Sequence, residues 1–222
     1  MKRCLFCMNT MREDILIAHL FSRSHTLCSK CRALIEHCRF DETNRCSYCK
    51  GNLDYSGVCQ NCRNRKDSSV HFDTIEAQFH YDHFVKTLMH QYKFLNDVAI
   101  AEIFASYIRI QRKPNEIIVP MPSSPEHDLQ RTFNPVQTIL NHMKIPYVTC
   151  LKMYSRSKQY TLSRAERYES DNPIYFDGDI CLENKTILLI DDIYTTGHTA
   201  HCAGNVLLQQ KVRKLSMLTF AR

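Results

Sequence analysis

Four C-x2-C pairs, Cys4/Cys7, Cys28/Cys31, Cys46/Cys49 and Cys59/Cys62, fall within the first 62 residues of a 222-residue chain. Two residues between cysteines let both sulfurs face one ion from a tight turn, and two such turns complete the four-thiolate shell of structural zinc. Pairing neighbours gives C-x2-C-x20-C-x2-C and C-x2-C-x9-C-x2-C, hence two Zn2+ sites, and an interleaved pairing satisfies the same count. Disulfides need an oxidising compartment, and a redox C-x-x-C occurs once beside a βαβ pattern, not four times in succession. Cys38, the ninth cysteine of this stretch, follows His37 and reads as a buried or free thiol, with replacement of one of the eight ligands as the alternative. Only Cys150, Cys181 and Cys202 lie further on. The chain therefore divides into a double zinc-binding region, residues 1–66, and a second region, residues 67–222, joined by the polar link 63–69.

Charge divides in the same place. Residues 1–66 carry 12 Lys and Arg against 6 Asp and Glu, and their surplus accounts for the whole formal charge of +6. Eight thiolates around two Zn2+ would lower that surplus to about +2. A basic module is the usual footprint of nucleic-acid phosphate, an argument that the metal charge weakens. Its aromatics, Phe6, Phe21, Phe40, Tyr48 and Tyr55, serve equally well to pack a small metal domain. The chain is 44% hydrophobic and 23% charged, an ordinary globular balance. The apolar run 15–21 is interrupted by His19 and is far shorter than the roughly 20 residues of a membrane span. Met1-Lys2-Arg3-Cys4 is no apolar signal core, so the expected location is cytoplasmic, without membrane insertion.

Beyond residue 66 the patterning alternates. Residues 72–81 read as a strand, followed by a helix with Phe84, Leu88 and Tyr92 on one face. Asp97 starts a long second helix carrying Ile100, Ile103, Phe104, Tyr107 and Ile108, which Lys113-Pro114 ends. Short apolar runs at 117–119, 147–151, 186–190 and 215–220 predict four more strands, with helices over 134–143 and 199–210 between them. Strand–helix alternation predicts an α/β fold: a mostly parallel sheet flanked by helices, preceded by the small cysteine-rich domain. Ile187-Leu188-Leu189-Ile190 suits its central strand, and ligands of such sheets sit at the carboxyl ends of the strands.

At that end lies T-I-L-L-I-D-D-I-Y-T-T-G-H-T-A, residues 186–200. A buried strand runs into Asp191 and Asp192, then into a loop of small hydroxyl residues around Gly197, then into a helix. Gly197 allows backbone N–H groups to approach a phosphate, Thr195, Thr196 and Thr199 add hydroxyl donors, and the helix N-terminus supplies partial positive charge. The two acids would meet sugar hydroxyls. Among the eleven histidines, His80, His83 and His90 read as surface residues, and His198 and His201, three apart at the helix start, as surface residues or as contacts to a ligand or a metal.

This stretch resembles the 5-phosphoribosyl pyrophosphate (PRPP) signature of type I phosphoribosyltransferases. The resemblance implies that Asp191 and Asp192 bind the ribose 2′ and 3′ hydroxyls. It gives Thr195, Thr196, Gly197, His198 and Thr199 to the 5′-phosphate, His198 standing at the variable position. Together with the four-pair cysteine head, the segments Leu88-M-H-Q-Y-K-F94, Ile117-I-V-P-M-P-S-S124, Arg131-T-F-N134 and Lys158-Q-Y-T-L-S-R-A-E-R167 make nearly the whole chain similar to the ComF family of bacterial competence proteins, of the ComFC type. Ser123 and Ser124 fall where related transferases have a pyrophosphate loop. Arg131 and Arg164, with Arg167 as a further candidate, can neutralise pyrophosphate through bidentate guanidinium contacts. The family pattern has Gly where this chain has Thr132, and Gly after the last helix where it has Gln210-Lys211-Val212.

Two functions follow from the resemblance. One is a PRPP-binding competence factor that acts with a ComFA-type DNA helicase, and with single-stranded DNA, as transforming DNA enters the cytoplasm. The other is a true phosphoribosyltransferase acting on an unknown nitrogenous acceptor. It would displace pyrophosphate from ribose C1 through an oxocarbenium-like state, with Mg2+ bridging pyrophosphate and ribose.

Overall fold

The computed structural model describes residues 2–11, 25–41, 43–54, 57–64, 72–155 and 172–222. In chain order the elements are β1 (Lys2–Arg3), β2 (Thr10–Met11), α1 (Ser29–His37), α2 (Gln60–Asn64), β3 (Ile75–Phe79), α3 (His83–Phe94), α4 (Ile100–Tyr107), β4 (Glu116–Pro120), α5 (Pro125–Arg131), α6 (Pro135–His142), β5 (Leu151–Met153), β6 (Ile174–Phe176), β7 (Thr186–Ile193), α7 (His198–Gln209) and β8 (Lys214–Ala221). Among the described residues, no helix is long and apolar enough to cross a membrane.

The β-branched and leucine run of β7 takes the interior of a four-stranded sheet, ordered β3-β8-β7-β4 with every pair parallel. Side chains alternate across it. Ile118, Leu188, Ile190, Leu218 and Phe220 join α3, α4 and α6 in one core. Val119, Ile187, Leu189, Leu215 and Met217 join α7 and the β5–β6 hairpin in the other. Each fully buried Leu or Ile contributes about 1.5–3 kcal/mol, so the sheet is stabilised from both faces.

The cysteine-rich region sits on the β3 edge. Arg39 bridges antiparallel to Phe79, Phe40 N–H donates to Gln78 O (3.0 Å) and His80 N–H to Cys38 O (2.8 Å), which covers an otherwise unpaired strand edge. Cys4, Cys31, Cys38, Leu27 and Ile35 are buried with the α3–α4 core, whereas Cys46 and Cys49 are buried with the opposite one.

Several local features differ from the sequence reading. The expected helix after Asp97 is only eight residues long, because Ile108 turns extended (ψ 139). Tyr147 to Cys150 form no strand of the main sheet. Val148 makes one bond to Ile118 O (2.9 Å), and Leu151–Met153 pairs antiparallel with β6 instead. α5 was not expected; Ser124 caps it, accepting from His127 N–H, and Pro125 occupies its first turn. Asp191 and Asp192 belong to β7 itself, which runs on to Ile193.

The two departures from the family's glycines now have a geometry. Thr132 (φ +65) ends α5 and Lys211 (φ +54) follows α7, both in the left-handed region that favours glycine. The turns are kept at a steric cost of about 1–2 kcal/mol per residue. For Thr132 the cost is partly offset by its hydroxyl donating to Arg131 O at 2.6 Å. Thr132→Gly or Lys211→Gly should therefore raise the thermal midpoint by about 2–4 °C, as read by differential scanning calorimetry. A lowered midpoint in both would contradict this.

Candidate functional site

Asp191 and Asp192 stand at the carboxyl end of the central strand. Asp191 accepts the backbone N–H of Asp192 at 2.8 Å, and Asp192 pairs with Lys93 Nζ at 2.7 Å. Lys93 lies in the last turn of α3. Asp82 caps the start of that helix by accepting from Phe84 and Val85 N–H, and buried Tyr92 locks its end by donating to Pro135 O at 2.8 Å. Lys93 occurs in the segment 88–94 quoted for the resemblance, but nothing local marked it as a site residue, because its partner lies 99 positions further on.

Burial, and then the charge of Asp192, push the Asp191 carboxyl up to about 7 against the smaller opposing effects of the Asp192 N–H and Lys93. Free Asp191 thus holds its proton up to about neutral pH. A ligand hydroxyl or cation placed at this carboxyl would favour the carboxylate, so its binding should release that proton and weaken as pH falls below about 7. Lys93→Met removes a charge that lowers this carboxyl's pKa, so the midpoint of the affinity-versus-pH curve of such a ligand should move to higher pH. An unmoved midpoint would contradict the role of Lys93.

These acids form one wall of a cleft of about 830 Å3. Ser123, Ser124 and Arg131 line it, as do Phe94, His198 and Thr199. The serines also build their loop: Ser124 Oγ accepts from His127 N–H (3.3 Å), and Ser123 Oγ accepts from Asn134 Nδ2 (2.7 Å). The Ser123 hydroxyl also bonds the Asp128 carboxyl, and the Ser124 hydroxyl proton points to another acceptor, which suits a phosphate oxygen. Arg131 is 8% exposed, and its guanidinium lies 5.5 Å from the centroid of Phe94. Arg131 lines the cleft, and the Asp128 carboxyl one turn back on α5 is the acid whose charge it offsets. Arg164 and Arg167 lie outside the described residues.

Thr195, Thr196 and Gly197 form the turn beside the cleft and are not among the residues lining its wall. Gly197 is left-handed (φ +79), and a Cβ there would run into the Tyr194 hydroxyl and ring, so glycine is required twice over. α7 begins at that glycine, which has no side chain to cap it; His198 N–H donates to Thr196 Oγ1 at 3.3 Å, and the first turn otherwise offers backbone N–H groups to an anion.

The cysteines gather as neighbours: Cys4, Cys7, Cys28 and Cys31 in one cluster and Cys46, Cys49, Cys59 and Cys62 in the other, with all sulfurs of a cluster within 4.8 Å of one another. Cys7 and Cys28 Sγ are 3.7 Å apart, as are Cys49 and Cys59. A tetrahedron with Zn–S bonds of about 2.3 Å has edges near 3.8 Å, so both clusters fit zinc. The two first turns repeat one design. Met8 and Lys50, each following the second cysteine, are left-handed and donate to Cys4 O and Cys46 O at 2.9 Å. Burial and neighbouring sulfurs push Cys31 and Cys62 above the ordinary thiol range, so four thiolates need a cation between them. Cys38 belongs to neither cluster: it is buried, donates to Leu34 O at 3.0 Å, and burial pushes its thiol up to about 12.

No family model matches the chain. It is 27% identical over 225 residues to the competence protein ComFC of Streptococcus pneumoniae (strain ATCC BAA-255 / R6), covering 99% of this chain and 100% of that one. It is 26% identical over 230 residues to ComFC of Bacillus subtilis (strain 168), covering 99% and 94%. Among solved structures, a hypoxanthine-guanine phosphoribosyltransferase from Bacillus anthracis aligns over 56% of this chain and 66% of its own, at 16% identity and a TM-score of 0.34. An allosteric regulatory enzyme of purine biosynthesis aligns over 54% and 24%, at 15% identity and a TM-score of 0.37.

Proposed function

We propose, for a chain that belongs to the ComFC type of competence protein and carries a phosphoribosyltransferase-like domain, that the cleft at Asp191 and Asp192 binds PRPP with Mg2+ in the service of DNA uptake. The observation that carries this reading is the convergence, around the end of one central strand, of two adjacent acids, a buried arginine and a glycine-hinged helix start. The acids accept the ribose hydroxyls. The turn 195–199 receives the 5′-phosphate on backbone N–H and threonine hydroxyl groups. Arg131, Ser123 and Ser124 take the pyrophosphate. Mg2+ would sit by Asp191 and Asp192 and offset the charge gathered between sugar and pyrophosphate.

The cysteine-rich region, basic even when metallated, is the surface offered to single-stranded DNA and to a ComFA-type helicase, and the protein works in the cytoplasm. An allele carrying Asp191→Asn with Asp192→Asn, expressed at wild-type level in transformable cells lacking the native copy, should import little labelled single-stranded DNA. Normal import would overturn the reading. One feature favours a second reading, the true transferase: Phe94 and Tyr154 line the cleft while 66% and 40% exposed, leaving aromatic surface for a planar nitrogenous acceptor. Release of pyrophosphate from PRPP in the presence of one member of a nucleobase panel would support it, and none across the panel would remove it.

A further inference from the structure

Arg222 follows β8, and its backbone is held on both sides, N–H to Phe79 O and carbonyl from Tyr81 N–H, each 3.0 Å. Its guanidinium reaches in two directions. On one side Nε donates to Cys49 O (2.9 Å) and Nη2 lies 3.3 Å from Cys49 Sγ, a sulfur of the second cluster. On the other, Nη1 donates to Tyr194 O (3.0 Å) and to Thr195 O, and the guanidinium carbon sits 5.1 Å from the centroid of the Tyr194 ring. Gly51 makes room for this fork, since a Cβ there would lie 2.6 Å from Nη2.

A trans peptide unit points its N–H opposite to its carbonyl. With the carbonyls of Tyr194 and Thr195 both fixed on Arg222, the N–H groups of Thr195 and Thr196 are turned to the opposite side, as successive donors of an anion nest are. Tyr194 in turn packs on Gly197, where α7 begins. A rigid planar side chain therefore spans from a cluster cysteine to the turn at the helix start, and no lysine could make both sets of bonds at once.

We infer that Arg222 is a positioning residue for the turn 194–199 and ties the geometry of that turn to the integrity of the second cysteine cluster. The inference rests on reading the turn as a phosphate site, but its test does not use PRPP. Amide hydrogen exchange is followed in the full zinc-loaded chain for peptides covering 193–199, with β3 and the first cluster as internal references. Arg222→Gln and Arg222→Lys should each speed exchange over 193–199 about tenfold or more, with both zinc ions retained and the reference peptides unchanged. Cys62→Ser, which opens the second cluster without touching Arg222, should speed the same peptides, and Cys7→Ser in the first cluster should not. Combined with Arg222→Gln, Cys62→Ser should add little further, because both act through one link.

Independent, multiplying effects would overturn the inference, as would unchanged exchange over 193–199 in the Arg222 variants. If Cys62→Ser does not fold, stepwise zinc removal from the wild type by a chelator, with and without Arg222→Gln, makes the same comparison. A wild type that binds no PRPP yet shows this coupling would remove the phosphate reading and keep the link.

Discussion

Cys31→Ser should reduce the zinc content of the full chain from two ions to one and destabilise it by on the order of 5 kcal/mol, a fall of about 10–20 °C in thermal midpoint. The size follows from where the first cluster lies. Cys4 and Cys31, at 0% and 5% exposed, are part of the same core as Leu88, Phe104 and Phe220, so losing the ion loosens the α3–α4 face of the sheet as well. Cys38→Ser is the control. Its thiol is as buried but lies in neither cluster, bonding the Leu34 carbonyl and the Asp82 carboxyl instead, so both ions should remain and the cost should be about 1–2 kcal/mol. Elemental analysis beside thermal unfolding decides: two retained ions in Cys31→Ser, or a lost ion in Cys38→Ser, would contradict the assignment of ligands.

Replacing Asp191 and Asp192 together by Asn should weaken binding of PRPP with Mg2+ at least 100-fold. Each acid would accept a hydrogen bond as a charged group, worth about 1.5–3 kcal/mol. The loss should not reflect unfolding. Asp191 carries a folded-state pKa above its unfolded value, so its ionisation opposes folding increasingly as pH rises from about 4 to about 7. Asp191→Asn alone should therefore leave stability at pH 7.5 unchanged or higher. Asp192→Asn, in contrast, leaves Lys93 without its partner at 17% exposure. Binding that survives in the double variant, with PRPP titrated at pH 7.5, would remove these acids from the site.

What was legible in the sequence was what is encoded locally. A C-x2-C turn needs only its own backbone, so the eight ligands could be read directly, and the fold then chose neighbour pairing over interleaving. The motif 186–200 is likewise one continuous strand, turn and helix start. Lys93 and Arg222 were not legible, because each acts on residues that only the sheet order brings near it: Asp192 for one, Cys49 and Tyr194 for the other. The run 147–151 shows the opposite error. It lies beside β4 with Tyr147 in one core and Val148 and Cys150 in the other, yet makes a single bond to Ile118 O, and periodicity alone does not separate such an extended segment from a paired strand. Thr132 and Lys211 depart from the family's glycines without losing the turns, since a left-handed residue other than glycine costs stability and not fold.

The account turns on whether the cleft holds a phosphoribosyl ligand. Calorimetric titration of the zinc-loaded wild type with PRPP and Mg2+ tests this most directly. Saturable binding of one PRPP per chain, weakening as pH is lowered below about 7, is the expected result. No binding at millimolar PRPP by a folded protein carrying both zinc ions would contradict it.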